Sequence, residues 1–566
     1  MRLGPAILLL ISIIFFCYGH MVPRSQAKLS SASCTECKAA AFTLGKMTKI
    51  SFLKPTFIKL FKTFCEAFIN LPQVVCDGMI DQYKDEMFYV FHELDDATKV
   101  CEGFFPECGD PSDPMGQGWE IPLPPKSRRQ RAKKTRPSSS SNTTLRVLHL
   151  TDLHVDYFYQ TGSEADCNGP VCCKADAKKM HRTARAAVPA GYWGTVGKCD
   201  LPYRTVEHML RHIERTEKVD YVMIGGDIID HTDWTYTWDN NIWILQNMSA
   251  LIKSYFPTTP VYWALGNHEG VPVNNFATHF VSREEFLPAR LYEQLTEMNR
   301  PWVDKESEAT SLYRGSWSTL VKEGLRLISV NTGYCVTQNF FLYINQSDPD
   351  GTMTWLVKEL HKSEQKGEAV HLLAHIPPGN PDCLEGWARN YYRVIQRFAS
   401  TITGQFFGHV HYDFFTVFYA DMKDVSSQAI NVAYVAPSVT SFPYLNPAYR
   451  IYTIDATDHY KILDHENYMA DLTKTSERTP PDWRLLYSAK NEYNLTSLKP
   501  EEWARVAERI LSSPTMQERF MELTGRNPDR PCDSDCFRVQ MCLLRAGHHD
   551  DQTYCPHSML LTNRAY

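Results

Sequence analysis

The sequence predicts an α/β protein with an all-α domain at its N-terminus and a helical, disulfide-linked region at its C-terminus. Five apolar runs between residues 145 and 411 each end in His, Asp or Asn residues, which is typical of strands that meet at a functional edge of a sheet. Amphipathic helical patterns with six cysteines precede these runs, and further helical patterns with four cysteines follow them. A chain of 566 residues is too long for one core, so several domains are expected.

The N-terminus, residues 1–22, has the pattern of a secretory signal peptide. Arg2 precedes an apolar run over residues 6–17, which is too short to cross a bilayer but fits a signal; a short membrane anchor is the alternative. Of the 17 cysteines, Cys17 lies here and the other 16 form an even set, which favours eight disulfides in a secreted chain. Sequons for N-glycosylation agree with the secretory pathway and lie at Asn142, Asn247, Asn345 and Asn494.

The six cysteines between residues 34 and 108 are separated by 2, 27, 10, 24 and 6 residues. Cys34 and Cys37 have the spacing of half a zinc site, but no second close pair completes it. Helical periodicity covers residues 40–49, 57–70 and 74–88. The pattern resembles the saposin family of small lipid-interacting domains, here over residues 30–110. The resemblance implies an apolar face that opens toward lipid, and it implies the disulfides Cys34–Cys108, Cys37–Cys101 and Cys65–Cys76; a purely structural scaffold is the alternative.

Residues 111–144 form a predicted linker, because they are rich in Pro and Ser and lack apolar periodicity. The basic run over residues 126–136 is a solvated tether in one interpretation. In the other it contacts anionic lipid headgroups, at roughly 1 kcal/mol per basic residue. The net charge of −6 excludes a chain built throughout to bind nucleic acid, and no motif indicates an obligate protein partner.

Each apolar run of the central region presents polar side chains where a strand is expected to end. Taken in order, the runs lead to Asp152 and His154, to Asp227 and His231, to Asn267 and His268, to His375, and to His409 and His411. Side chains two positions apart on a strand share a face, so such pairs can point into one site. One such cluster alone could be a helix cap or a turn, whereas five in series predict a metal centre.

The order D-x-H, G-D, G-N-H, H and G-H-x-H resembles the calcineurin-like metallophosphoesterase superfamily. The resemblance implies a four-layer α/β/β/α sandwich over residues 145–456. It implies one metal held by Asp152, His154 and His411, a second held by Asn267, His375 and His409, and Asp227 as the bridge between them. Asp230 stands where an iron-binding Tyr would be expected, so two zinc ions per chain are favoured, although manganese or iron would accept these ligands. His268 and His231 are implied acids for the leaving alkoxide; a structural role is the alternative for His231.

The saposin-like module, the linker and this ligand series together resemble the acid sphingomyelinase family. The resemblance implies hydrolysis of sphingomyelin to ceramide and phosphocholine, with a lipid bilayer of sphingomyelin and anionic lipids as partner, in the lysosome or outside the cell. It also implies that Asn274 lies beside the site. The further implied disulfides are Cys167–Cys172, Cys173–Cys199, Cys335–Cys383, Cys532–Cys536 and Cys542–Cys555. The alternatives are a secreted phosphodiesterase for soluble nucleotide or choline phosphoesters, and a non-catalytic lipid-transfer protein.

Residues 457–566 are predicted to form a C-terminal helical domain after a closing strand at residues 449–454. Helices are predicted over residues 501–511 and 514–523, with Ser513 as the N-cap of the second. His548 and His549 are adjacent rather than on one face, so they are expected to be solvated.

Overall fold

Two mixed six-stranded sheets form the centre of the protein, seen here in a computed structural model. The structure describes residues 38, 42, 54–66, 71–94, 118–126, 143–175, 187–526 and 534–548. The strands are β1 (Thr144–Leu150), β2 (Val155–Asp156), β3 (Leu201–Pro202), β4 (Tyr221–Ile224), β5 (Val261–Trp263), β6 (Trp317–Lys322), β7 (Leu325–Val330), β8 (Ala369–Ala374), β9 (Ile402–Phe407), β10 (Phe414–Asp421), β11 (Asp424–Val435), β12 (Ala448–Asp455), β13 (Ile462–Met469) and β14 (Arg484–Ser488).

The helices of the described ranges lie mainly between and after these strands. They are α1 (Lys54–Phe64), α2 (Gln73–Glu93), α3 (Tyr203–Thr216), α4 (Trp238–Tyr255), α5 (Ala289–Asn299), α6 (Lys305–Arg314), α7 (Thr352–Lys366), α8 (Glu385–Phe398), α9 (Ala489–Glu492), α10 (Pro500–Ser512), α11 (Pro514–Gly525) and α12 (Ser534–Leu543). Helix α5 packs on β5 of one sheet, and α7 packs on β7 and β8 of the other. None of the helices in the described part of the chain is both long and apolar enough to cross a membrane.

The first sheet has the order β14-β13-β12-β1-β4-β5, and the second has the order β10-β11-β9-β8-β7-β6. The two sheets pack face to face through aromatic side chains, since the ring of Phe406 on β9 lies 4.7 Å from that of Tyr452 on β12. Strands β1, β4 and β5 run parallel, as do β7, β8 and β9. Parallel strands place their carboxyl ends at one edge, so the five predicted runs deliver their polar residues to the same side of the molecule. The predicted α/β sandwich is confirmed at this level.

The boundary predicted at residue 456 is not where the sheet ends. Strands β13 and β14 extend the first sheet beyond β12, and the helical part begins only with α9. Sequence periodicity missed β13 because two of its buried positions are occupied by His465 and Asn467 instead of apolar residues. The closing strand and the two predicted helices are confirmed as β12, α10 and α11, and the Ser513 side chain accepts a hydrogen bond from Met516 N.

The prediction that His548 is solvated is wrong. Its side chain is buried, and its Nδ1 lies 3.1 Å from Glu385 Oε2. The reason is that the chain before it crosses the edge of the second sheet, where Val417 N donates a hydrogen bond to Leu544 O at 3.0 Å. His549 lies outside the described residues.

Helices α1 and α2 of the N-terminal region are linked by the predicted disulfide Cys65–Cys76. The predicted helices over residues 57–70 and 74–88 correspond to α1 and α2, whereas residues 40–49 lie mostly outside the described ranges. The predicted disulfides Cys34–Cys108, Cys37–Cys101, Cys532–Cys536 and Cys542–Cys555 have one or both cysteines outside those ranges. In the catalytic region the predicted disulfides Cys167–Cys172, Cys173–Cys199 and Cys335–Cys383 are present.

Part of the predicted linker lies along helix α8. Ile121 N donates a hydrogen bond to Asn390 Oδ1 at 3.0 Å, and the Asn390 amide donates to Trp119 O at 2.8 Å. This part is therefore held against the catalytic region, while most of the basic run lies outside the described residues. Among the predicted glycosylation sites, Asn345 and Asn494 are exposed, Asn247 is half-buried and Asn142 lies outside the described residues.

Candidate metal centre

Seven polar side chains converge where the predicted ligands leave their strands. Asp152, His154 and His411 form one group with ligand atoms within 4.8 Å of one another, and Asp227, His375 and His409 form a second. Asn267 belongs to the second group, because its Oδ1 lies 3.1 Å from His375 Nε2 and 2.9 Å from His409 Nδ1. The structure therefore brings together both predicted ligand sets.

Asp227 lies between the two groups, as expected for a bridging carboxylate. Its Oδ2 is 2.9 Å from His375 Nε2 in one group and 3.6 Å from His154 Nε2 in the other. Its Oδ1 accepts a hydrogen bond from His268 N at 2.8 Å. Glu269 holds the backbone around Asp227 in place. Its carboxylate accepts hydrogen bonds from the backbone N–H groups of Gly266, Asp227 and Ile228 at 2.6, 3.0 and 2.7 Å.

Backbone carbonyls fix the tautomers of three ligand histidines. The Nδ1 atoms of His154, His375 and His411 lie 2.6, 2.8 and 2.6 Å from the carbonyl oxygens of Ile229, Gly225 and Phe442, respectively. A carbonyl oxygen only accepts, so each Nδ1 carries a proton and each Nε2 faces the centre. Burial opposes a charge on His375, but Asp227 outweighs it and raises the pKa of this ring to about 9, so a bound cation would have to displace the proton from its Nε2. His409 has the opposite arrangement: its Nε2 contacts Asp382 Oδ2 at 3.0 Å and its Nδ1 faces Asn267.

These donors fit a bound cation. His154 Nε2 lies 3.1 Å from His411 Nε2, although both nitrogens present lone pairs. Such a contact is unfavourable between two neutral rings, and a cation between the nitrogens would remove the repulsion. Burial lowers the pKa of His411 to about 3, which keeps the ring neutral as a ligand must be. Burial, helped by Asp227, raises the pKa of Asp152 to about 7, a penalty that a nearby cation would relieve.

The backbone at the centre adopts conformations that ordinary residues avoid. Left-handed φ angles occur at five of the predicted ligands: Asp152 (52°), His154 (37°), Asp227 (56°), His409 (73°) and His411 (61°). Each costs roughly 1–2 kcal/mol for a non-glycine residue, and such residues cluster at functional sites. A Cβ atom at Gly408 would collide with Thr151 and Asp152, so the glycine before His409 allows two ligand loops to touch.

The two predicted acids border the first ligand group and are held by carboxylates. His268 Nδ1 lies 2.9 Å from Tyr236 Oη and 3.3 Å from Asp233 Oδ1. Burial opposes a charge on His268, but Asp227 and Asp233 outweigh it and raise the pKa of the imidazole to about 10. His231 Nδ1 lies 2.7 Å from Asp200 Oδ1, and its ring stacks on that of His154 at 3.8 Å. Both rings are therefore fixed beside the ligands.

Asn274 lies beside the site, where it was expected. Its Oδ1 accepts a hydrogen bond from Asn267 Nδ2 at 2.9 Å. Because the amide nitrogen of Asn267 donates this bond, its Oδ1 faces His375 and His409 of the second group. Asn274 therefore orients the side chain of the predicted ligand Asn267.

No sequence pattern indicates the roles of Asp200, Asp382 and Arg526. Asp200 and Asp382 hold His231 and His409, and each is distant along the chain from the histidine that it contacts. Arg526, at the end of α11, is buried and donates from Nη1 to His411 O at 3.1 Å and from Nη2 to Ser438 Oγ at 3.1 Å. Only an alignment of homologues or a structure could connect such distant positions.

Asp382→Asn is expected to weaken metal binding by the second group about 10- to 100-fold, because the variant loses the carboxylate that holds His409. The measurement is retention of metal against increasing chelator concentration, for both equivalents separately. Asp482→Asn is the control, since Asp482 is exposed and distant from the site in sequence. Equal metal retention by the two variants would contradict the role given to Asp382.

Comparisons with known proteins agree with this geometry. Residues 145–413 match the model of the calcineurin-like phosphoesterase family, and residues 424–558 match that of the acid sphingomyelin phosphodiesterase C-terminal region. The chain is 47% identical to sphingomyelin phosphodiesterase 1 of Caenorhabditis elegans, over 92% of this chain and 93% of that one. It is 34% identical to sphingomyelin phosphodiesterase of Homo sapiens, over 95% of this chain and 85% of that one.

Proposed function

Because the chain belongs to the sphingomyelin phosphodiesterase family and is a phosphodiesterase, we propose that it hydrolyses sphingomyelin to ceramide and phosphocholine with two zinc ions. The observation that carries the proposal is the convergence of the seven predicted ligands in two adjacent groups, with Asp227 between them. A complete ligand set argues against a lipid-transfer protein that has lost its catalytic function.

The residues of the site divide the reaction between them. When bound, two metal ions would polarise the phosphodiester and activate a water for in-line attack on phosphorus. An alkoxide is a poor leaving group, so the departing ceramide oxygen needs a proton donor. Tyr236 and Asp233 hold Nδ1 of His268, which leaves Nε2 to deliver that proton. Asp200 likewise contacts Nδ1 of His231. Burial and the neighbouring His154 lower the pKa of His231 well below its ordinary value, which makes it the weaker candidate.

Zinc is the metal that the donors favour. The two groups offer imidazole nitrogens, carboxylates and one amide oxygen. Asp230 occupies the third position after Asp227, where an iron-binding Tyr would be expected. Imidazole-rich sites without a redox function suit zinc. Manganese and iron are the outcomes that a metal analysis of the purified protein would separate from zinc.

We also propose that the N-terminal helices engage the bilayer. A mainly apolar groove between α1 and α2 is lined by Ile58, Phe61, Ile80, Met87, Phe88 and Phe91, together with one charged residue, Lys84. The saposin-like spacing of the cysteines supports a lipid as the occupant. Anionic lipids would add attraction to the basic run over residues 126–136. A secreted or lysosomal location follows from the signal pattern and the cysteine content.

Product analysis on sphingomyelin liposomes tests the activity directly. Ceramide and phosphocholine are expected at pH 5, to be lost with a chelator and to return with added zinc. A soluble aryl phosphodiester is measured in parallel. Cleavage of the soluble ester alone, with no release of phosphocholine from liposomes, would favour the alternative of a phosphodiesterase for soluble substrates.

Phe91→Glu is expected to lower the rate on liposomes about tenfold and to leave the rate on the soluble ester unchanged, since it places a charge in the apolar groove. The measurement is the ratio of the two rates. Leu485→Glu is the control, because Leu485 is an exposed apolar residue on β14, far along the chain from the groove. If both rates of Phe91→Glu equal those of the unmodified chain, the groove does not contact lipid.

A further inference from the structure

Two opposite faces of helix α2 make different contacts. One face lines the apolar groove shared with α1, and the opposite face packs on the catalytic region. On that second face Gln82 Nε2 donates a hydrogen bond to Tyr236 O at 2.6 Å, and Tyr83 Oη donates to Val273 O at 2.7 Å. A Cβ atom at Gly78 would collide with Trp234, so the glycine allows the helix to lie directly against this segment.

The segment that α2 touches is the one that holds His268. Residues 233–235 form a turn of 3-10 helix, and Asp233 and Tyr236 contact His268 Nδ1 at 3.3 and 2.9 Å. The contact from Gln82 thus reaches His268 through one intervening residue, Tyr236, and that from Gly78 reaches it through Trp234 and the adjacent Asp233. The packing of α2 on residues 233–236, which we call its seating, is therefore coupled to the orientation of His268.

Glu86 lies in the middle of the face that packs on the catalytic region. At 100° per residue its direction falls between those of Gln82 and Tyr83, both of which bond to that region. Its side chain is only 9% exposed, and its Oε2 atom has no hydrogen-bond partner. An ionised carboxylate at this place would keep one buried oxygen without a hydrogen-bond partner, whereas a protonated one would carry a smaller penalty.

Lys84 on α2 favours the ionised form of Glu86, but its effect is smaller than that of burial. Among the lysines of α1, Lys59 is exposed, Lys62 pairs with Asp81, and Lys54 lies over the ring of Phe88. The elements that pack on the other side contribute Asp233, which holds His268, and Tyr343. On α2 itself Asp85 and Lys84 act in opposite directions. Burial is the largest effect, and it raises the pKa of Glu86 from 4.5 to about 8.

We propose that Glu86 makes the seating of α2 on residues 233–236 sensitive to pH, so that the acid residue of the site is held in place under acidic conditions and released near neutrality. The direction of the pH dependence follows from the proton on the Glu86 carboxyl group. This group binds the proton more tightly when α2 is packed on residues 233–236 than when it is not. Seating is fully favourable below the ordinary pKa of a glutamic acid and weakens as pH rises toward 8, by at most about tenfold per pH unit. The inference deepens the proposed function, on which its consequence for turnover rests.

Hydrogen exchange of residues 73–93 and 233–236 in the full chain tests the proposal without reference to activity. After correction for intrinsic exchange rates, protection is expected to fall at least tenfold between pH 5 and pH 7.5. Glu86→Gln is expected to keep its protection at both pH values, because an amide of the same shape does not ionise. Glu93→Gln is the control, an exposed acid-to-amide change on the same helix, and it should follow the unmodified chain.

Equal protection of the unmodified chain at both pH values would overturn the proposal, and this measurement needs no variant to fold. So would a Glu86→Gln chain that loses protection with pH as the unmodified chain does. Glu86→Met repeats the comparison if the amide variant does not fold. Turnover of the soluble ester by Glu86→Gln, relative to the unmodified chain, is expected to rise at pH 7.5. If exchange behaves as expected but sphingomyelin is not cleaved, the proposed substrate fails and the pH response stands.

Discussion

Asp227→Asn is expected to lower turnover at least about 10³-fold and to reduce the metal content of the purified chain below two equivalents. The physical reason is the position of Asp227 between the ligand groups, with Oδ2 near His375 Nε2 and His154 Nε2. An amide carries no charge to balance two divalent ions, and its nitrogen cannot serve as a second ligand atom. A carboxylate in this place is worth several kcal/mol to the reaction.

Metal content by elemental mass spectrometry and initial rates on liposomes measure the two effects together. Asp239→Asn serves as the control, because Asp239 is exposed on α4 and pairs only with Arg290 at the surface. The bridging role would be refuted by an Asp227→Asn chain that keeps both equivalents of metal and turns over within tenfold of the unmodified chain.

His268→Gln is expected to lower turnover of sphingomyelin about 10²- to 10⁴-fold while the chain keeps its metal. His268 approaches Asp227 through its backbone N–H, and its ring is held by Tyr236 and Asp233. Its side chain is therefore free to act on the substrate. A proton donor matters most for a poor leaving group, so a nitrophenyl ester should be affected far less than sphingomyelin.

The decisive comparison is turnover against metal content for His268→Gln and for His361→Gln, a change of a histidine at the surface of α7. Parallel loss of metal and turnover in His268→Gln would show a ligand or a structural residue instead of an acid. The same pair of measurements on His231→Gln ranks the two candidates, and the larger loss on sphingomyelin relative to the nitrophenyl ester identifies the main donor.

Local patterns made the ligand set predictable. Each predicted ligand lies within four residues of the end of a buried strand, and parallel strands bring such positions to one edge, so His375 and His409 could be placed together from sequence alone. Family resemblance then divided the ligands between two groups, and the observed groups agree with that division. The lipid-facing function of the N-terminal helices remains a prediction.

Residues that act on the ligands could not be predicted, because their partners are far away along the chain. Asp382 reaches His409 from the loop before α8, and Arg526 reaches His411 O from the end of α11. Strand β13 was not predicted for a different reason. His465 is buried in the core, at a position where an apolar residue would have completed the alternation of apolar and polar residues typical of a strand. Hydrophobic periodicity therefore does not reveal strands with buried polar residues, nor the contacts that such residues make with the predicted ligands.

The continuation of the first sheet into β13 and β14 sets a lower limit on the length of a functional enzyme. A fragment ended at residue 456 would leave β12 as an unpaired edge, with backbone groups open to pairing between copies and to aggregation. It would also lack Arg526, whose guanidinium donates to the carbonyl of His411. Recombinant fragments designed to retain the phosphodiesterase should therefore extend past residue 526, and truncation between these points is expected to lower activity.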